Sequence, residues 1–249
     1  MEWYQILILI GAGIIAGFIN TIAGSGSLLT LPLFMAFGLP APVANGTNRI
    51  GILLQSFVGV FSFKKQNLLD FSTALKIGIP SVIGSLIGAL IAVDVNEKAM
   101  QTAIGILLIM MFFLILWKPN RWIKSHEGNP PLPLWIQMII FFFVGMYGGF
   151  IQAGVGFFLL GALVMASGFN LIKANALKVL MVFFYTPFSL VIFILNHQVD
   201  YKLGFIVATG SMLGAWIGAR MSVKWGPQVV RIILLATLLV ASVKLLGFF

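Results

Sequence analysis

Asn45, Asn48 and Arg49 stand at i, i+3 and i+4 inside the largely apolar stretch "APVANGTNRIGILL". A helix over that stretch presents all three on one side. Asn175 and Lys178 repeat the spacing in "KANALKVLMV". Amides and cations sharing a face supply hydrogen-bond donors and positive charge, which suits an acceptor-only anion. Two glycine-bearing stretches join them. "NTIAGSGSLLTLP", residues 20 to 32, sets Asn, Thr, Ser and two glycines within a run from Gln5 to Phe37 that has no charged residue. "QAGVG", residues 152 to 156, resembles its centre. The candidate anion-binding residues are therefore Asn20, Gly24, Ser25 and Gly26 with Asn45, Asn48 and Arg49, and Gln152, Gly154 and Gly156 with Asn175 and Lys178.

Other chemistry is poorly supplied. All six acids (Glu2, Asp70, Asp94, Glu97, Glu127, Asp200) fall in loops or at the ends of apolar runs, which leaves no carboxylate within a run to coordinate a cation or relay protons. Asp70 and Asp200 read as helix caps. His126 and His197 lie in separate loops and suggest no metal site. No HExxH, GxSxG or P-loop pattern is present, so neither an enzyme nor a cofactor is expected. There is no cysteine, hence no disulfide or thiolate chemistry.

The elements that position these residues are membrane helices. The chain of 249 residues is 60% hydrophobic and 8% charged, with a mean hydropathy of +1.08, which a soluble fold could carry only by exposing large apolar patches. Apolar runs fall at about 5–37, 42–63, 71–93, 99–117, 134–168, 174–196, 203–219 and 228–248, most of them near the ~20 residues that cross a bilayer as helix. The first run has no basic n-region and outlasts a signal peptide, so it reads as a retained span. As one helix, residues 5–37 would be about 50 Å long, well beyond the ~30 Å of hydrocarbon. The chain must bend, giving a helix of roughly 5–22, a break, and a shorter arm of roughly 26–37. The net charge of +9 does not point to nucleic acid, because the basic residues are scattered over short loops.

The sequence also repeats. An offset of 130 residues lays "AGSG" at Ala23 on "AGVG" at Ala153, Ala44-Asn45 on Ala174-Asn175, and "GSLIGA" from Gly84 on "GAWIGA" from Gly214. Just before the break the offset becomes 132, which lays "GFIN" (Gly17 to Asn20) on "GFIQ" (Gly149 to Gln152). Residues 1–117 and 134–249 form two membrane repeats joined by a basic linker, 118–133. Lys64, Lys65 and Lys76 assign the loop after the second run to the cytoplasm, as do Lys118, Arg121 and Lys124 for the linker and Arg220, Lys224 and Arg231 for the loop before the last run. The first-half counterpart of that last loop, Asp94 to Lys98, is net acidic. Equivalent loops thus swap sides, both termini lie outside, and the repeats are inverted. Inversion needs an odd number of crossings per half, so the long first run goes in and returns as a hairpin, mirrored at Gln152 to Gly156. A kinked single crossing would instead make the repeats parallel.

The expected fold is all-α, a polytopic membrane protein of two inverted repeats, each a broken hairpin followed by three transmembrane helices. Broken backbone at membrane depth is tolerated where it is buried in protein or lines a wet cavity. The short arms opening near Gly26 and Gly156 would aim unpaired N–H groups and positive dipole ends at that cavity. The alternative for the glycines is close helix packing, the preferred reading for Gly84, Gly88, Gly214 and Gly218. For Arg49 and Lys178 the alternative is snorkelling to the interface, since both sit about one turn inside a run.

The break from Asn20 to Pro32, the "GLPAPVANGTN" from Gly38, the duplication and the length resemble the TauE/SafE family of sulfite and organosulfonate exporters. The resemblance covers nearly the whole chain. It implies a multi-pass carrier of the bacterial or archaeal inner membrane that moves sulfite or related sulfur oxyanions outward by alternating access, with its site between the repeats. Ser25, Ser27 and Val155 depart from the more glycine-rich tips of the family, which leaves the particular anion open. An anion channel, or a carrier of another small organic anion, would use the same architecture. The expected partners are a small anion and the lipid bilayer.

Overall fold

The computed structural model describes residues 1–106 and 130–245, with the side chains of the last helix as far as Lys224. Most of the expected linker, including Lys118, Arg121 and Lys124, lies outside the described residues. Among those residues every regular element is a helix, as expected from the composition. In chain order they are α1 (Trp3–Ala23), α2 (Ser27–Ala36), α3 (Ala41–Lys64), α4 (Phe71–Val93), α5, described over 97–106, α6 (Leu134–Phe150), α7 (Val155–Met165), α8 (Leu171–Leu195) and α9 (Tyr201–Leu245).

The long first run breaks where bilayer thickness demands it. α1 ends at Gly24, whose φ of +79° is a left-handed cap that lets its N–H donate to Asn20 O at 2.8 Å. Three residues later α2 begins, with Gly26 before its first turn. The second half does the same, with α6 stopping at Phe150 and Gly154, φ +70°, preceding α7. α2 and α7 have 10 and 11 residues, about 15–17 Å of helix or half a hydrocarbon layer.

Loop chemistry fixes the other starts. The carboxylate of Asp70 accepts the Thr73 N–H at 3.1 Å and the Thr73 hydroxyl at 2.7 Å at the head of α4. These bonds hold its pKa below the ordinary value. Asn170 caps α8 through the Lys173 N–H at 2.9 Å, and Asp200 caps α9 through the Leu203 N–H at 2.9 Å.

The halves interlock rather than stand side by side. α4 packs along α6, and α9 packs along α1, so the fourth helix of each half lies on the first helix of the other. Small residues let these backbones approach. A Cβ at Gly84 or Gly88 would collide with the carbonyls of Phe142 or Met146, and one at Gly214 with that of Ile14. The close-packing reading of these glycines therefore holds. α3 and α8 run through the middle, where most of their polar side chains are buried. Outward, α1, α4 and α9 expose Leu7, Ile15, Ile83, Leu90, Phe205 and Leu213, an apolar belt suited to lipid. α1, α4, α8 and the part of α9 from Tyr201 to Lys224 are each long and apolar enough to cross a membrane.

One expectation fails. Separate runs at 203–219 and 228–248 with a loop carrying Arg220, Lys224 and Arg231 are replaced by α9, which is helical without interruption through Gly226 and Pro227. Gly-Pro followed by charge reads as a break. The missing proline N–H costs the helix one backbone hydrogen bond, and α9 nonetheless runs on through it.

Candidate functional site

The broken tips meet at the centre. A Cβ on Gly24 would fall on the Gly156 backbone, and a Cβ on Gly156 on that of Gly24, so the hairpins touch glycine to glycine. Beside the contact is a cavity bordered by Asn20 and Ser27 from the first hairpin, Gln152 and Gly156 from the second, Gln55 from α3 and Lys178 from α8. Its volume is about 10 Å³ measured as space open to the centre of a water molecule, room for one water. The starts of α2 and α7 both reach it, through Ser27 and Val155. Among the described residues no carboxylate borders it.

Arg49 and Lys178 do not snorkel. Both are fully buried, and each caps a helix of the opposite half. Arg49, on α3, donates to Gly148 O at 3.1 Å and Gly149 O at 2.6 Å in the last turn of α6. It also donates to Gln152 Oε1 and Ser189 Oγ, each at 2.9 Å. Its guanidinium lies 4.4 Å from the centre of the Phe193 ring, close enough for a cation–π contact. Asn45 completes this cap by donating to Phe150 O at 2.8 Å. Lys178, on α8, donates to Asn20 O and Thr21 O at 3.0 Å in the last turn of α1, and to Asn175 Oδ1 at 2.7 Å. The last carbonyls of a helix are its negative end and lack intrahelical donors. Buried inside the protein these carbonyls have no bulk water to satisfy them, so a buried cation from the other half does so.

Of the predicted residues, Asn20, Gly24, Gln152, Gly156 and Lys178 border the cavity. Arg49 reaches it at one remove, through Gln152. Asn45, Asn48, Asn175, Ser25, Gly26 and Gly154 lie behind its walls. Gly26 packs on Ala16 O of α1, and Gly154 provides the turn into α7. Several polar groups here are buried without a partner, namely the hydroxyls of Ser25 and Ser27, the Nδ2 groups of Asn48 and Asn175, and Arg49 Nε. Such orphans carry a desolvation cost, which a bound ligand or water relieves.

Ser27, at the opening of the short arm, also borders the cavity, as do Thr21, Gln55 and Ser56, which the sequence did not single out. Gln55 and Ser56 extend the face of Asn48 and Ile52 by another turn of α3, so the same spacing rule, carried past the apolar Ile52, reaches them. Ile52 and Val182, 130 residues apart, face the cavity from α3 and α8. Tyr185 and Thr186, the equivalents of Gln55 and Ser56, instead contact Gln152 Nε2 at 3.2 and 3.5 Å. Ser189 was invisible because only the fold brings it to Arg49.

Comparison with known proteins gives a consistent result. The family model described as "Sulfite exporter TauE/SafE" matches residues 9–245. A "Probable membrane transporter protein YfcA" of Escherichia coli (strain K12) is 31% identical over 241 residues, covering 96% of this chain and 88% of the relative. A "Probable membrane transporter protein ORF9" of Sinorhizobium sp is 27% identical over 249 residues, covering 99% and 94%. A "Probable membrane transporter protein" of Haemophilus influenzae is 29% identical over 224 residues, covering 90% and 88%. No solved structure matches significantly.

Proposed function

The chain belongs to the TauE/SafE sulfite exporter family of membrane transporters, and from that premise we propose that it carries small sulfur oxyanions, sulfite or organosulfonates, between two inverted repeats by alternating access. The observation that carries this reading is the cavity at the hairpin tips. Two short-arm N-termini, the Ser27 hydroxyl without a partner, the Asn20 and Gln55 amides and the Lys178 ammonium converge there with no carboxylate. Donors and helix N-termini favour an anion. Inverted-repeat carriers bind their substrates near the midplane in this way.

Sulfite is several times larger than one water, so the Gly24–Gly156 contact parts before an anion enters. Closure then excludes water around the bound anion, and opening toward the other face releases it. A cavity this small is not a continuous water path, which favours a carrier over a channel. The exchange of partners, α4 on α6 and α9 on α1, supports a two-fold relation between the halves. The test is flux of radiolabelled sulfite into proteoliposomes against taurine, acetate and sulfate as competitors. Saturable sulfite uptake, slowed by organosulfonates, is expected. Flux without saturation, with unitary currents in single-channel recordings, would establish a channel.

The loop charges of the first half and the linker support an orientation in the inner membrane with the N-terminus outside and the linker cytoplasmic; the expected outside C-terminus rested on a loop at 220–231 that α9 replaces, and lapses with it. The chain has no cysteine, so single cysteines report cleanly. Lys64→Cys should react with an impermeant maleimide only from the cytoplasm, and Lys98→Cys only from outside. Labelling of Lys64→Cys from outside would overturn this orientation.

A further inference from the structure

A second concavity opens on the outer surface between α3 and α9, far larger than the central one at about 360 Å³ by the same measure. Phe57 and Phe61 of α3 and Trp216 of α9 line it, together with Lys65 and Arg220. Phe57, Phe61 and Lys65 follow one another at i, i+4 and i+8 on one face of α3. Trp216 and Arg220 have the same i, i+4 relation on α9, with the guanidinium 4.0 Å from the centre of the indole ring. Gln66 donates to Ala219 O at 3.4 Å, which sets the two cations at the same level. The aromatic residues therefore lie one to two helical turns, about 6–12 Å, to one side of them.

Phe57, Phe61 and Trp216 are large apolar side chains left 44%, 51% and 45% exposed. Lys64 and Lys224 add exposed cations at the same end. Positive charge at the chain ends with an apolar, aromatic trough leading toward the hydrocarbon matches an amphiphile with an anionic head and an acyl tail. A free phosphate would use the cations and leave the aromatics unused. A neutral lipid would do the reverse.

We propose that the α3–α9 groove holds an anionic phospholipid, its phosphate between Lys65 and Arg220 and an acyl chain along Phe57 and Phe61. Arg and Lys near the membrane surface attract anionic headgroups, and Arg220, braced on Trp216, offers a planar fork to phosphate. None of these residues borders the central cavity, so the proposal stands apart from the transport reading.

The test is native mass spectrometry of the whole protein in neutral detergent, titrated with phosphatidylglycerol, phosphatidylcholine or inorganic phosphate. One phosphatidylglycerol should be retained at least ten-fold more strongly than phosphatidylcholine. Lys65→Gln with Arg220→Gln should weaken it by roughly five-fold for each cation lost. Lys98→Gln with Lys202→Gln, which removes equal charge elsewhere, should not. Phe61→Ser should weaken phosphatidylglycerol and leave inorganic phosphate unaffected. Equal retention by the wild-type protein and the Lys65/Arg220 variant would overturn the site. Millimolar phosphate that binds and displaces the lipid, with Phe61→Ser having no effect on either, would make it a site for soluble phosphate and overturn the lipid assignment.

Discussion

Gly156→Ala should abolish most sulfite flux while the protein still purifies in monodisperse form. A methyl group at Gly156 meets the Gly24 backbone, not a side chain that can swing away. Gly156 does not carry a left-handed φ, so the substitution adds bulk without added backbone strain. Overpacking of this kind costs about 1–3 kcal/mol. Borne wholly by the closed state, that is roughly a 5- to 150-fold fall in its population. Gly24→Val combines the same clash with a φ of +79° that a β-branched residue resists, and its flux should be undetectable. Gly154→Ala separates the two effects. It strains a turn at φ +70°, about 1–2 kcal/mol, so its thermal midpoint should fall while residual flux exceeds that of Gly156→Ala. Wild-type sulfite affinity and flux in Gly156→Ala would mean that the tips do not close around the substrate.

The opening glycines were legible because length and physics together leave little choice. A charge-free run of 33 residues exceeds a bilayer, and the stretch within it that joins glycines to Asn, Thr and Ser is "NTIAGSGS", where α1 and α2 in fact part. The face of Asn45, Asn48 and Arg49 was legible from spacing, and so was the pairing of Lys178 with Asn175. What these cations touch was not. Periodicity says which way a side chain faces along its own helix, and the carbonyls at the ends of α6 and α1 arrive from the other half of the chain. α9 was misread for a related reason. Gly226 and Pro227 carry a local preference for a break, and nothing local reveals that the chain remains helical through them.

Those cation contacts divide the expected consequences of two substitutions that spacing alone makes equivalent. Arg49→Gln should reduce the amount of folded protein and lower its thermal midpoint. Its guanidinium serves Gly148 O, Gly149 O, Gln152 and Ser189 at once, and a shorter amide cannot reach them all. Each buried acceptor left unpaired costs about 1–3 kcal/mol, and Arg49→Lys should rescue little because a single ammonium lacks the fork. Lys178→Gln is different. An amide there offers two donors for the three acceptors Asn20 O, Thr21 O and Asn175 Oδ1, so the thermal midpoint should fall, but by less than in Arg49→Gln. What it removes is positive charge on the cavity wall. Unit charges a few Å apart at an effective dielectric near 20 interact by about 4 kcal/mol, most of which solvation and neighbouring dipoles screen. Sulfite affinity should still weaken at least several-fold, and isothermal titration with sulfite would read it directly. Unchanged affinity in a folded Lys178→Gln protein would reduce Lys178 to the cap of α1, and would leave the anion to the backbone N–H groups and hydroxyls of the tips.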